Sequence, residues 1–360
     1  MARVDVLMPA YNAAATIRAA IESIRVQTFA DWRLVVVDDG STDQTPAILA
    51  ELAAADRRIH VITKANEGIV EARNDALRAA DAEFIACLDS DDIALPARFE
   101  RQLTFLAVRP DCVAVGGAVE HMDEEGRPIS GMTQSGPPMD ADAEQAPALE
   151  PYIVHSTLMA RRADIVAVGG YRHVPNSEDS DLFWRLMARG TLVNLAETFA
   201  KYRVHTQSIS SSIVNGRIMA VGSQLGALSA RRREAGKPDL EFPRALHEAM
   251  KRAVTLAAMV ELASPKLDEA EAKYLRVAAA CKLMELARYR PYEPDVTDCA
   301  FIRAALPAAK SLSAQNQREV AWYITVTAAR LVRKGLLREA MTLTPLKNYP
   351  VTAARVVMAR

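Results

Sequence analysis

Four apolar runs dominate the first hundred residues: VDVLMP (4–9), RLVVVDD (33–39), IHVIT (59–63) and EFIACLD (83–89). They are apolar at nearly every position rather than at alternate ones, the pattern of a strand buried on both faces. Between them, apolar residues recur at helical spacing. Ile17, Ala20, Ile21 and Ile24 form one such stripe, and DQTPAILAELAAA (43–55) and IVEARNDALRAA (69–80) supply two further helices. Pro46 is tolerable there because it falls in a first helical turn. Doubly buried strands alternating with helices restrict the chain to an α/β architecture with a mostly parallel central sheet. Ligands of such sheets collect beyond the carboxyl ends of the strands. MPAYN (8–12), VDDGS (37–41) and LDSDD (88–92) all lie at such ends, so one mouth gathers them.

The pattern changes from Cys112. CVAVGGAVEHMD (112–123) reads as another strand, and 124–151, rich in Pro, Gly, Asp and Ala, as one long loop. STLMARRADIVAVGGY (156–171) predicts a strand, a short helix and a glycine turn. SEDSDLFWRLMARG (177–190) predicts a helix stopped by Gly190. LVNLAETFAKYRVH (192–205) gives one or two short strands. Beyond about residue 210 the chain turns helical. Leu246, Met250, Ala253, Ala257 and Val260 make one stripe, and Val320, Ile324, Thr327 and Leu331 another. Leu275, Ala279, Leu283 and Leu286 make a third, behind a capping box of Asp268 and Glu271.

Charge separates the two parts. Residues 1–220 hold 21 Lys and Arg against 31 Asp and Glu, and the remainder holds 23 against 14. An acidic front suits cations, and a basic back suits phosphates, an acidic partner or anionic lipid. The total of −1 points to no nucleic acid. Cys87, Cys112, Cys281 and Cys299 form no Cys-x-x-Cys pair, which predicts reduced thiols in a cytoplasmic protein rather than a zinc site. MARVDVLMPAYN opens without a signal-peptide core, and no stretch reaches the ~18 apolar residues of a membrane span.

Each acidic cluster has a plain and a chemical explanation. Asp38 and Asp39 suit a turn with Gly40 and Ser41; a carboxylate there could also accept N3–H of uracil or thymine and reject cytosine. Arg73 could pair with Glu71 and Asp75 on a helix surface, or aim its fork at a diphosphate. Asp89, Asp91 and Asp92 could cap a helix before Pro96, or Asp-x-Asp could hold Mg2+ or Mn2+. Glu178, Asp179 and Asp181 suit a first helical turn, or supply a general base. His205 is structural, or completes a metal or phosphate site.

The order and spacing of these segments resemble the family 2 glycosyltransferases, over about residues 4–212. The resemblance rests on VDVLMPAYN through VVVDDGSTDQT, on NEGIVEARNDAL, FIACLDSDD, GGYR, SEDSDLFWRL and YRVHTQSIS. It implies a GT-A-type nucleotide-diphospho-sugar transferase fold in 1–212, leaving 213–360 as a basic α-helical extension. It further implies that Pro9, Tyr11 and Asp39 meet the nucleoside and Arg73 the diphosphate. Asp89 takes the place of the ribose-side acid and Asp91 that of the metal ligand. Gly169 and Gly170 match the glycine turn near donor and acceptor. Asp179 matches the catalytic base, and His205 a histidine that reaches the metal or diphosphate. The implied activity is metal-dependent, inverting transfer of a sugar from a nucleotide-diphosphate donor, UDP favoured, to a hydroxyl of a saccharide or lipid-linked saccharide. The setting would be cell-envelope or polysaccharide synthesis.

Two alternatives are a non-catalytic binding protein on a transferase frame and a sugar-phosphate nucleotidyltransferase. The first would have lost Asp91 or Asp179. The second would carry a glycine-rich basic loop where MPAYNAAAT stands. In the basic extension, Arg330, Arg333, Lys334, Arg338, Lys347, Arg355 and Arg360 face only Glu339 in sequence. They suit packing on the rest of the chain, or a peripheral contact at the inner face of the cell membrane.

Overall fold

A computed structural model describes residues 2–204 and 211–345. Among these, one unit comprises residues 2–141, 151–172 and 178–204, and a second comprises 142–150, 173–177 and 211–345.

The first unit opens as the apolar runs require: β1 (Val4–Ala10), α1 (Ile17–Arg25), β2 (Trp32–Asp38), α2 (Thr45–Ala55), β3 (Ile59–Thr63), α3 (Ile69–Ala79) and β4 (Phe84–Cys87). β5 (Ile93–Ala94), α4 (Arg98–Val108), β6 (Cys112–Met122), β7 (Pro128–Thr133), β8 (Met159–Arg161), α5 (Arg162–Ala167), α6 (Glu178–Leu186) and β9 (Thr191–Arg203) follow. The strands form one sheet ordered β3-β2-β1-β4-β8-β6-β9-β5, with β7 hairpinned onto β6. β1 lies parallel between β2 and β4, and β3 is parallel to β2; β8 then enters antiparallel between β4 and β6.

All seven β1 residues are buried. Each fully buried Val or Leu there contributes roughly 1.5–3 kcal/mol. Asp5 is tolerated in this strand because Arg33 donates to both its oxygens at 2.7 Å, and the Asp81 and Ala82 amides add two more bonds. One core layer lies between sheet and helices around Val6, Met8, Ile21, Leu49 and Phe99, and the opposite layer around Leu7, Val37, Ala76, Leu158 and Phe183. Beneath the strand ends, buried Arg98 donates from Nη2 to the carbonyls of Cys87 (2.9 Å) and Leu158 (3.0 Å). Gln102 donates to the Thr157 carbonyl at 2.7 Å. Two buried α4 side chains thus fix residues 157–158 against the end of β4.

Three local expectations change. Residues 124–151 are not one loop, since 128–133 pair with β6; β7 shows no alternation because it is exposed almost throughout. α6 ends at Leu186 rather than at Gly190, whose Cβ would meet the Asp111 carbonyl at 2.5 Å. The tail of the unit is one 13-residue strand, β9, whose register against β6 shifts at three places.

The second unit contains α7 (Ile213–Glu234), α8 (Arg244–Arg252), α9 (Leu256–Ala263), α10 (Glu269–Leu286), α11 (Val296–Ala309), α12 (Ala314–Arg333) and α13 (Leu337–Leu343). The 246–260 stripe is two helices, not one: Thr255 accepts the Ala258 amide and starts α9 afresh. Leu225, Leu275, Leu283, Ile302 and Ile324 lie in this unit's core. The capping box of α10 forms, with both Asp268–Glu271 bonds present. Arg330 and Lys334 do not lack acids, because both pair with Glu293 at 2.8 Å. Segment 142–150 is held by buried polar groups of this unit. Asn316 accepts the Ala146 amide and donates to the Glu144 carbonyl, and Gln224 accepts the Ala148 amide. No described helix is long and apolar enough to cross a membrane.

Candidate active site

The site begins where β1, β2 and β4 end. Pro9 is a buried β1 residue, whereas Tyr11, just past the strand, is 53% exposed. Asp38 serves the turn, accepting the Ser41 amide at 3.1 Å. Asp39 reaches further. Its two oxygens accept the amides of Glu67 (2.9 Å) and Gly68 (2.8 Å), fixing the entry to α3. Gly68 has φ +92, and Gly40, at φ +76, lies so near Asn66 that a Cβ would stand 2.7 Å from its amide nitrogen. Both positions need glycine.

α3 carries Arg73 inward. The side chain is buried and turns to acids other than Asp75, which pairs with Lys64 and Arg78. Arg73 Nη1 donates to Glu178 Oε1 at 2.6 Å and Nη2 to Asp89 Oδ1 at 3.3 Å. Burial opposes its charge, but Glu178 and Asp89 outweigh burial and hold its pKa above the ordinary value. Asp179 adds to the same field. One guanidinium therefore ties the acids after β4 to those opening α6, 89 residues later in sequence by Asp89 and Glu178 numbering.

Around Asp89, Ser156 Oγ donates to Oδ2 at 3.1 Å and accepts the Asp89 amide at 3.3 Å. Burial pushes the Asp89 carboxyl up, yet Arg73, then His155 and the Ser156 hydroxyl, prevail and it lies below the usual value. Asp91 remains partly exposed. Asp92 is buried and accepts the Arg203 amide at 2.8 Å. Burial first, then the charges of Asp91 and Asp89, raise its pKa well above the carboxylate norm. It caps no helix, since α4 starts only at Arg98. Arg203 Nε also donates to the Asp91 carbonyl at 2.9 Å, so β9 clamps the Asp91–Asp92 turn.

Gly169 and Gly170, at φ +83 and +68, make the turn after α5. Asn74 exchanges two 2.9 Å bonds with the Tyr171 backbone and so seats that turn on α3. Asp179 is partly exposed in the first turn of α6, its Oδ1 accepting the Ser180 amide. Asp181 is fully buried between Arg172 and Arg185 and belongs to the scaffold. His205 lies outside the described residues. His155 and Ser156 carry no local signal, as HST before a short strand, and arrive through the non-local pairing of β8 with β4; Tyr171, within GGYR, is brought in by Asn74 of α3.

Among the described residues no three His, Cys, Asp or Glu side chains gather as a metal cluster; the Asp91 carboxylate stays partly exposed at this rim. It fits a hard cation that takes one or two carboxylates and completes its shell with substrate phosphates.

The family model described as glycosyl transferase family 2 matches residues 5–169. EpsE of Bacillus subtilis, provisionally assigned as a glycosyltransferase, is 33% identical over 207 residues, 56% of this chain and 73% of its own. WfgD of Escherichia coli, a UDP-Glc:α-D-GlcNAc-diphosphoundecaprenol β-1,3-glucosyltransferase, is 43% identical over 104 residues, 29% of this chain and 40% of its own. Among solved structures, mannosyltransferase PcManGT from Pyrobaculum calidifontis, in complex with GDP-Man and Mn2+, matches with TM-score 0.52 at 19% identity. That match covers 100% of this chain and 88% of the other. It is a likeness of fold.

Proposed function

Because this chain belongs to glycosyl transferase family 2 and has a GT-A-type fold, we propose that it transfers a sugar, with inversion, from a nucleotide-diphosphate donor to a hydroxyl acceptor. The observation that carries the reading is Arg73 bonded to both Asp89 and Glu178. Two acidic motifs far apart in sequence thereby share one rim at the strand ends.

In this reading Tyr11 and Pro9 flank the base. Asp39 receives N3–H of uracil. Two amides already occupy Asp39, but a carboxylate offers about four lone-pair sites, so capacity remains. Asp89 meets the ribose side, and the turn at Gly169 and Gly170 lies near donor and acceptor. Arg73 supplies positive charge to the diphosphate from within the acidic cluster, and Asp179 accepts the acceptor hydroxyl's proton as that oxygen attacks the anomeric carbon. Asp91, with His205, would hold Mn2+ or Mg2+, which when bound neutralises charge on the departing diphosphate. The UDP-Glc donor and diphosphoundecaprenol-linked acceptor of WfgD favour a UDP-sugar and a lipid-linked saccharide of the cell envelope.

A contact with the inner face of the membrane fits the turn between α12 and α13. There exposed Arg333, Lys334 and Arg338 stand beside Leu337 and Met341, 56% and 62% exposed. Flotation with anionic and with zwitterionic vesicles tests it; equal recovery on both would refute an electrostatic contact.

Titration of UDP, dTDP, GDP and CDP, each with Mn2+ and with chelator, tests the donor reading. UDP should bind most tightly, CDP most weakly, and chelator should weaken UDP. Asp179→Asn should keep nucleotide binding and lose about 10²- to 10⁴-fold in turnover. Unaltered transfer by that variant would remove Asp179 as base.

A further inference from the structure

Behind the Asp89–Arg73 pair lies a buried row of groups that the mechanism above does not use. Cys87 Sγ, Tyr171 Oη and His155 Nε2 follow one another at 3.5 and 2.9 Å, and His155 Nδ1 faces Asp89 Oδ1 at 3.8 Å. All three side chains are nine-tenths or more buried. Nδ1 is itself buried and has no hydrogen-bond partner.

The row can be protonated in two senses. In one, His155 donates from Nε2 to Tyr171, leaving a bare Nδ1 lone pair aimed at a carboxylate in a site of low dielectric. Acceptor would face anion with nothing between them. In the other, the Cys87 thiol donates to Tyr171, the Tyr171 hydroxyl donates to Nε2, and Nδ1–H points at Asp89. Each donor then has an acceptor ahead of it, and the last faces the negative charge. A doubly protonated ring is disfavoured, because burial and then the Arg73 charge bring the His155 pKa down to about 3.

We infer that His155, fixed by Tyr171 as its Nδ1–H tautomer, is a positioning residue for the Asp89 carboxylate. The inference rests on the reading that Asp89 meets the nucleotide. Ser156 orients Oδ2 and Arg73 pairs with Oδ1, and His155 supplies a third neighbour, facing Oδ1. The 3.8 Å separation exceeds a hydrogen bond by roughly 0.6 Å or more, so a small movement of Asp89 toward the ring closes it. The frame on the histidine side is stiff. Arg98 and Gln102 hold residues 157–158, and Asn74 holds the Tyr171 backbone.

The chemistry predicts which replacements work. An asparagine at 155 can place an amide N–H near the former Nδ1, whereas a glutamine reaches toward the former Nε2 and Tyr171. The probe is whichever of UDP, dTDP or GDP binds wild type most tightly with Mn2+, followed by calorimetry and by steady-state transfer kinetics. His155→Phe should weaken nucleotide binding and raise donor KM about tenfold or more, the scale of one hydrogen bond to a charge, with kcat changed far less. His155→Asn should recover most of the loss and His155→Gln should not. Tyr171→Phe should fall between, because the tautomer is no longer fixed.

Wild-type affinity in His155→Phe, or equal behaviour of the Asn and Gln variants, would overturn the positioning role. If the phenylalanine variant fails to fold, the Asn–Gln contrast decides alone. Asp89→Asn separates the two ideas: unchanged nucleotide affinity there would sink the reading of Asp89, whereas a loss there without one in His155→Phe would sink only the inference.

Discussion

Asp181 shows how much charge this fold places out of reach of water. It is fully buried, ion-paired with Arg172, and accepts Arg185 Nε at 2.9 Å. Removing one member of such a group leaves the others charged and uncompensated, which costs about 3–5 kcal/mol. Asp181→Ala should therefore lower the denaturant midpoint by far more than a surface change does. Two imidazoles, that of His155 buried and that of His247 half-buried, make a second residue-scale prediction. Burial, then Arg73, lowers the His155 pKa to about 3; burial, then Lys251, lowers that of His247 to about 4. In the unfolded chain both titrate near 6.5. As pH falls from 6.5 toward 4, the unfolded chain binds protons that the folded chain refuses. The stability that depends on these rings is full above 6.5 and declines below it, by up to about 1.4 kcal/mol per pH unit for buried His155 and by less for the half-buried His247, whose charge water screens; Asp92, whose carboxyl is raised in the fold, acts in the opposite sense. Thermal midpoints between pH 7.5 and 5 check this, and His155→Asn should give a shallower decline. The acids at the strand ends were legible in sequence because they follow apolar runs and precede turn residues, both local signals. The roles that Arg73 and Asp39 take in the scaffold were not, since Glu178 and the Glu67–Gly68 amides reach them only after folding.

At the scale of elements, legibility followed the burial of both strand faces. β1, β2 and β4 stood out as apolar runs buried almost throughout, whereas β3, at the sheet edge with only Ile59 buried, was read as one of them, and β7, wet on nearly every side chain, left no periodicity to read. The break between α8 and α9 was hidden because the apolar spacing of 246–260 continues across it. Thr255 was the available sign, as a residue suited to capping a new helix. Glycines inside α7 carry a constraint that helix propensity alone inverts. Gly→Ala in a helix ordinarily gains about 1 kcal/mol. At Gly222 the new Cβ would stand 1.8 Å from the Pro175 carbonyl oxygen, a backbone atom that cannot step aside cheaply. At Gly216 the obstacle is the Tyr292 hydroxyl at 2.3 Å, the far end of a side chain that can rotate. Gly222→Ala should destabilise by about 1–3 kcal/mol, the usual range for overpacking, and Gly216→Ala by less. Equal midpoints for the two variants would contradict this distinction between backbone and side-chain obstacles.

For the whole molecule, chain order and structural membership differ. The helical unit includes residues 142–150 and 173–177, both in the sequence that precedes it. No compositional cue marks 142–150 for that unit, because its ties are single polar groups: Asn316, Gln224, the Tyr274 hydroxyl donating to Ala143, and Lys282 paired with Glu150 at 2.6 Å. These four side chains come from α7, α10 and α12, and all lie beyond residue 212. A chain ended after Ser212 keeps every acid of the candidate site but loses each of those partners at once. The Ala146 and Ala148 amides and the Ala143 and Glu144 carbonyls would then turn to water or stay unpaired, at about 1–3 kcal/mol for each group left buried and unmet. The shortened chain should accordingly be cut by protease within 142–150 at concentrations that spare the full chain. If it instead resists cleavage there as the full chain does, the helical unit is dispensable to the order of that segment.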